Sequence, residues 1–368
     1  KDRGKPNVRA VEASRGMTSM EAGTAFSMAL SRSGGDALEK EDAREIVKFK
    51  KQLLQAAGGI LEYHEPDETI NDIGGLEKLI HWLSEREQAL SAEARDYGLE
   101  PPKGVLLLGV PGCGKSMTAK AIASLWGYPL VRFDLGKVFG SFVGQSEAQM
   151  RGALEVAEAV APCILWIDEI EKGMAGVSSS GQNDSGVTAR TFGTLLTWMQ
   201  EKTSPVFVVA TANRHQNLPA EALRKGRFDE MFFVDLPDSK TREIILEKLV
   251  SRLVNVKHVS KDLDYAGVAS KTDLFSGAEL EQAVKDAQFI AFSDGKRALK
   301  QDDLLSAVGS TFPLAITMEG DIAALRRFAK NRCRPASGNQ IAVGSEDINK
   351  IKEQMYDDVD NLYIDEEG

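Results

Sequence analysis

The sequence predicts an α/β fold, a three-layer arrangement in which helices cover both faces of a parallel sheet, followed by a small all-helical domain. Three observations carry this prediction. Residues 66–238 alternate short apolar runs with polar-patterned helical stretches. The runs are continuous in hydrophobicity, as strands buried on both faces require. Beyond Pro237 such runs cease, and amphipathic helical stretches follow one another through residues 239–318.

Taken in order, residues 1–62 are helical in pattern and resemble the later helical region. VEASRGMTSMEAGTAFSMAL aligns with GVASKTDLFSGAELEQAVKDAQ, which places Ala13, Glu21, Ala25 and Ala29 on Ala269, Glu279, Ala283 and Ala287. Two amphipathic helices can share Ala and Glu by chance, but the shared order of helix, Gly-containing turn and acidic helix start favours a repeat. Four strands follow: GVLLLGV (104–110), PLVRFDL (129–135), CILWIDEI (163–170) and VFVVATAN (206–213). Ser239 is the expected N-cap of the next helix. Ser276, with Glu279 three residues on, has the capping-box pattern. Residues 319–335 read as one more helix. From Ala336 the chain turns polar, and 345–368 holds nine Asp and Glu against two Lys, the composition of a solvated, mobile acidic tail. The expected domains are therefore 1–62, 66–238, 239–335 and the tail 336–368.

Composition narrows the function classes. The chain has 368 residues, with 42% hydrophobic and 27% charged. Such a chain can bury a real core, which excludes a wholly disordered chain, a collagen-like repeat and a disulfide miniprotein. The net charge is −10, and no basic stripe with interleaved aromatics occurs, so no nucleic-acid partner is expected. Cys113, Cys163 and Cys333 are scattered, which points to a reducing compartment. The four histidines are isolated, so no His/Cys metal site is written in the spacing. No apolar run approaches the ~20 residues of a membrane helix, and no basic-then-apolar leader opens the chain.

GVPGCGKS (109–116) fits G-x-x-x-x-G-K-[ST], after an expected strand and before an expected helix. Gly109, Gly112 and Gly114 let the backbone curl so that its N–H groups face phosphate oxygens. Lys115 would bridge the β- and γ-phosphates, and the Ser116 hydroxyl would hold Mg²⁺. Pro111, Cys113 and Met117 complete the nucleotide-binding set. A glycine-rich turn with a surface lysine is the bland alternative, and the strand-to-helix setting argues against it. A thiol at a helix N-terminus beside a lysine is also open to oxidation, although a small residue filling a slot explains Cys113 as well.

CILWIDEI ends in Asp168 and Glu169, 53 residues beyond Lys115 on a separate strand. Carboxylates there sit at the sheet edge where ligands bind. Asp168 would position Mg²⁺ through water, and Glu169 would polarise the attacking water. Asn213 ends the fourth strand and can orient a water beside a γ-phosphate. Arg224 and Arg227 in ALRKGRFDE carry guanidinium groups suited to charge on equatorial phosphate oxygens.

These residues together resemble the AAA branch of the AAA+ ATPases over about residues 66–335. The stretch from Asn213 to Arg227 looks like that branch's second region of homology. DIGGL (72–76) resembles its adenine-contacting loop, which implies that Asp72, Ile73 and Gly74 lie beside the base. SGAEL (276–280) resembles the lid segment in which Gly277 and Ala278 replace the sensor-2 arginine of other branches. The whole chain is similar to the conserved-reading-frame AAA proteins of cyanobacteria and plastids, in which a degenerate ATPase module precedes the active one. That resemblance implies that 1–62 is the lid of an upstream module whose α/β part lies before Lys1. It implies the P-loop NTPase fold, ATP and Mg²⁺ as cofactors, and a homo-oligomeric ring, usually a hexamer, with Arg227 reaching the neighbour's nucleotide. It also implies a cytoplasmic location, or the plastid stroma for a plastid-encoded chain.

SFVGQSE (141–147) occupies the family's first pore loop, with Phe142 at the aromatic position that grips a threaded polypeptide and Val143 beside it. GVSSSGQNDSGVTAR (176–190) is a Gly/Ser-rich loop that matches the second pore loop in position. Two departures stand out. Glu230 replaces the second finger arginine, and Met199-Gln200-Glu201 replaces the family's MDG segment. The expected function is ATP hydrolysis coupled to remodelling or threading a protein substrate. The alternative is an ATP-controlled oligomeric scaffold that threads nothing.

Overall fold

The computed structural model describes residues 19–33, 54, 59–65, 68–139, 145–174, 184–260, 262–338 and 341. Most of the N-terminal repeat, the tail 345–368, and Phe142 and Val143 lie outside them. The strands are β1 (Leu61–His64), β2 (Gly104–Gly109), β3 (Leu130–Phe133), β4 (Cys163–Ile167), β5 (Val206–Ala212), β6 (Glu230–Val234) and β7 (Arg334–Pro335). The helices before β6 are α1 (Ser19–Ser33), α2 (Glu77–Ser84), α3 (Ala92–Asp96), α4 (Lys115–Trp126), α5 (Leu135–Phe139), α6 (Ser146–Ala159) and α7 (Asp184–Glu201). After it come α8 (Ser239–Leu253), α9 (Tyr265–Ala269), α10 (Gly277–Ser293), α11 (Gln301–Gly309), α12 (Leu314–Thr317) and α13 (Glu319–Ala329). The mostly parallel sheet runs β1-β3-β4-β5-β2-β6-β7. The fold class is the α/β class the sequence predicts.

Two compact units are formed. Of the described residues, one takes in those before 71 with those in 81–107 and 116–231, the other those in 71–80, 108–115 and 232–341.

In the first unit, every residue of β4 and β5 is buried. They pair in parallel from Cys163 opposite Val206 to Ile167 opposite Ala210. That is why these runs are apolar without alternation. The Trp126 ring packs 4.6 Å from that of Phe207, and its N–H donates to the Leu83 carbonyl at 3.2 Å. Antiparallel β1 closes this edge, Leu61 opposite Phe133.

In the second unit, Leu246, Val250, Val268, Leu280, Val284 and Leu304 build a helical core. Buried Arg242 donates to the Ala269 carbonyl and pairs with Asp273, so its charge is compensated in place. Arg326 grips Asp235 at 2.8 and 3.0 Å. The Ser276–Glu279 capping box is present with both its hydrogen bonds.

Three expectations change. Among the described residues seven strands stand where the sequence showed four, because β1, β6 and β7 escape the apolar-run criterion. β1 is LEYH, β6 opens on Glu230, and β7 has two residues within the stretch 319–335 expected to be wholly helical. The cap of α8 is Asp238, not Ser239, its carboxylate accepting from the Thr241 N–H. Both residue types cap well, and the structure uses the earlier one. Residues 184–190, expected as loop, open α7, whose Phe192, Leu195, Leu196 and Met199 are buried at helical spacing.

Candidate nucleotide site

In the first unit, β4 delivers Asp168 and Glu169 beside the end of β5. Asp168 Oδ1 accepts from Ser116 Oγ at 2.8 Å and from Thr211 Oγ1 at 2.7 Å. The Thr211 hydroxyl in turn accepts the Glu169 backbone N–H at 2.9 Å. Glu169 has φ +50°, a left-handed conformation that stores about 1–3 kcal/mol in a non-glycine residue. It turns the chain sharply at the strand end. Asn213 Nδ2 donates to Glu169 Oε1 at 3.0 Å. The other Glu169 oxygen pairs with Lys172, whose pKa that hydrogen bond raises. The Asn213 backbone N–H is held at 2.8 Å by Glu171, which is buried. The structure thus brings Ser116, Asp168, Glu169 and Asn213 into one hydrogen-bonded group. Arg224 is exposed. Arg227 is half-buried, and its Nε is buried without a hydrogen-bond partner among the described residues.

In the second unit, the loop 108–115 curls as its glycines allow. Gly112 has φ +76°, and a Cβ there would sit 2.9 Å from Ser276 Oγ and 3.0 Å from the Ala278 Cβ. Its carbonyl accepts the Ala278 N–H at 3.0 Å, which brings Gly277 and Ala278 onto the loop. Lys115 is 6% exposed, and its ammonium donates to the Gly109 and Val110 carbonyls at 2.9 and 2.7 Å. Pro111 and Met117 are half-buried. Of the two readings of Cys113, the structure favours a small residue filling a slot over an oxidisable thiol: burial pushes the thiol up to about 12, more than Lys115 can offset, so little thiolate is available. Asp72 ends a short 3₁₀ turn, and Lys248 donates to the Ile73 carbonyl at 2.6 Å. At Gly74 a Cβ would meet Ile245 Cγ1 at 2.5 Å, so the loop 72–74 is seated on α8.

Sequence reasoning missed Thr211, Glu171 and Lys172. The signal for Thr211 was present, a hydroxyl inside the otherwise apolar run VFVVATA. Among the described residues, no group of three His, Cys, Asp or Glu forms a metal site by itself. Ser116 and Asp168, a hydroxyl and a carboxylate 2.8 Å apart, are the hard oxygen donors that suit Mg²⁺ shared with phosphates. No helix among the described residues is long and apolar enough to cross a membrane.

Residues 105–236 match the model of the ATPase family associated with various cellular activities, and 262–306 match the AAA+ lid domain. The chain is 44% identical over 288 residues to the uncharacterized AAA domain-containing protein ycf46 of Guillardia theta, covering 78% of this chain and 56% of that protein. It is 36% identical over 248 residues to the proteasome-activating nucleotidase of Thermococcus kodakarensis, covering 66% of this chain and 61% of the relative. It is 36% identical over 279 residues to the ATP-dependent zinc metalloprotease FtsH of Thermus thermophilus, covering 74% and 42%. The chain spans less than two thirds of the length of each of these relatives. The phosphate loop, the paired acids at the end of β4 and the two family matches agree: this chain belongs to the AAA ATPase family.

Proposed function

We propose that this chain is a Mg²⁺-dependent ATPase that remodels or threads a protein substrate as a subunit of a homo-oligomeric, hexameric ring. The observation that carries the reading is the group at the strand ends. Ser116 and Asp168 share one hydrogen bond, and Glu169 and Asn213 share another. Loop 109–116 binds the β- and γ-phosphates through its backbone N–H groups and Lys115. Ser116 and, through water, Asp168 would hold Mg²⁺, which would supply positive charge against the phosphates. Glu169 accepts a proton from the attacking water, which Asn213 orients. Arg227 of one subunit reaches the γ-phosphate of the next, with Arg224 beside it. Asp72, Ile73 and Gly74 face the adenine. Phe142 and Val143 contact the substrate, and an aromatic suits that task because it grips apolar and backbone surface without reading sequence. Two relatives carry names that join ATP or nucleotide to proteasome activation and proteolysis, which supports a protein substrate.

The scaffold alternative draws on Glu230, which stands in β6 where relatives of the AAA branch carry a second finger arginine. Its carboxylate accepts its own neighbour's N–H, from Met231 at 3.3 Å. The test of the ATPase reading is Glu169→Gln. It should bind ATP as the parent does while turnover falls about a hundredfold or more, the usual weight of a general base. Lys115→Ala should lose nucleotide binding. Equal ATPase rates in Glu169→Gln and parent would overturn the reading.

A further inference from the structure

Helix α10 leaves part of its C-terminal half uncovered. Phe289 and Phe292, three residues apart and so on one face, are 70% and 61% exposed. Beside them lies a groove of about 770 Å³ floored by Leu253, Val254, Ala291 and Leu299. Its charged lining has a single sign: Lys285, Lys296 and Arg297 border it, and among the described residues no carboxylate does. Lys285 pairs with Glu281 at 2.8 Å, and Arg297 with Asp294 and Asp303 at 2.5 and 2.6 Å. The Lys296 ammonium stands over the Phe292 ring, 5.5 Å from its centre. Two exposed aromatics beside an apolar groove, with Lys296 at its border and Lys285 and Arg297 already paired to neighbouring acids, fit an amphipathic helix that brings acids at the edge of its apolar stripe.

One segment of this chain has that chemistry. Residues 345–368 hold nine acids against two lysines. Ile348, Ile351, Met355, Val359 and Leu362 recur within it at steps of three and four, the stripe of an amphipathic helix. At 100° per residue Asp347 and Asp358 flank that stripe, and Glu353 and Asp357 fall on the opposite face. A helix over 348–362 would be about 22 Å long, close to the ~25 Å of α10, so the two can lie side by side.

We propose that the groove of α10 is the docking site of the chain's own acidic segment 345–368. The segment binds as a helix, its apolar stripe on Phe289 and Phe292 and its flanking acids toward Lys285, Lys296 and Arg297. The experiment uses the full chain with the photo-crosslinking residue p-benzoylphenylalanine in place of Met355. Illumination should link position 355 to residues 285–299 of the same chain. Links elsewhere, or none, overturn the proposal. In an equal mixture of light and ¹⁵N-labelled chains, light–heavy links would assign the groove to a second copy's tail and overturn it too. The paired substitution Phe289→Glu with Phe292→Glu alters two exposed side chains and should leave the circular dichroism unchanged. It should lower the crosslink yield about tenfold, because it removes the apolar contact and sets like charges against the tail. An unchanged yield in that variant overturns the proposal.

Discussion

Thr211 shows how one hydroxyl fixes two acids. It donates to the Asp168 carboxylate and accepts from the Glu169 backbone N–H, so one buried side chain holds both the Asp168 carboxylate and the stretch of backbone that carries Glu169. Thr211→Val keeps the shape and removes both bonds. A lost hydrogen bond that strands a buried polar group costs about 1–3 kcal/mol, so ATP turnover should fall about tenfold or more. Nucleotide affinity, set mainly by the loop 109–116, should change less. Thr211→Ser should restore turnover, and a Val variant with parental turnover would remove Thr211 from the site. At this scale the spacing of Lys115, Ser116, Asp168 and Glu169 could be read directly, because phosphate chemistry constrains which residues stand how far apart. Thr211 could not, since threonine in a strand is also what β propensity alone would place there. At Cys113 the slot-filling reading holds, because a lysine and a helix start lower a thiol's pKa only when burial does not outweigh them.

Lys202 follows α7 and is buried, its ammonium donating to the Val206 carbonyl at 2.6 Å. Burial lowers its pKa from 10.5 to about 8. The unfolded chain therefore holds this proton to higher pH than the folded chain does, and stability rises with pH between those values. Below pH 8 both states are charged and the folded state bears the full desolvation penalty. Lys202→Met has no such penalty, so the melting-temperature gap between variant and parent should narrow as pH is raised from 8 toward 10. A gap constant with pH would show that the amine is not desolvated. Among the elements, strands buried on both faces and the capping box at Ser276 announced themselves, because burial and capping leave patterns in sequence. β1, β6 and β7 did not, since edge or very short strands need few apolar residues. The start of α7 was hidden by a Gly/Ser-rich approach, and its buried apolar residues begin only at Phe192.

For the molecule as a whole, the fold class and the family follow from the order of strands, loop and helical lid, and the chain's activity and partners remain the proposal made above. Threading and scaffolding part at Phe142. Phe142→Ala should abolish processing of a protein substrate while ATP binding and ring assembly, followed by light scattering, stay parental. Substrate processing at the parental rate would favour the scaffold. Assembly cannot be read from one chain's sequence, because symmetry is a property of surfaces that meet only between copies.

Helix α10 touches the phosphate loop at its first turn, where Ala278 meets Gly112, and carries Phe289 and Phe292 near its last. Its 17 residues make it a stiff arm of about 25 Å. A tilt of about 10° at the loop moves the far end by roughly 4 Å, by the same helix geometry. The arm works in both directions. A shift of the loop is magnified at the aromatic end, and a load hung on the aromatic end returns to the loop as torque.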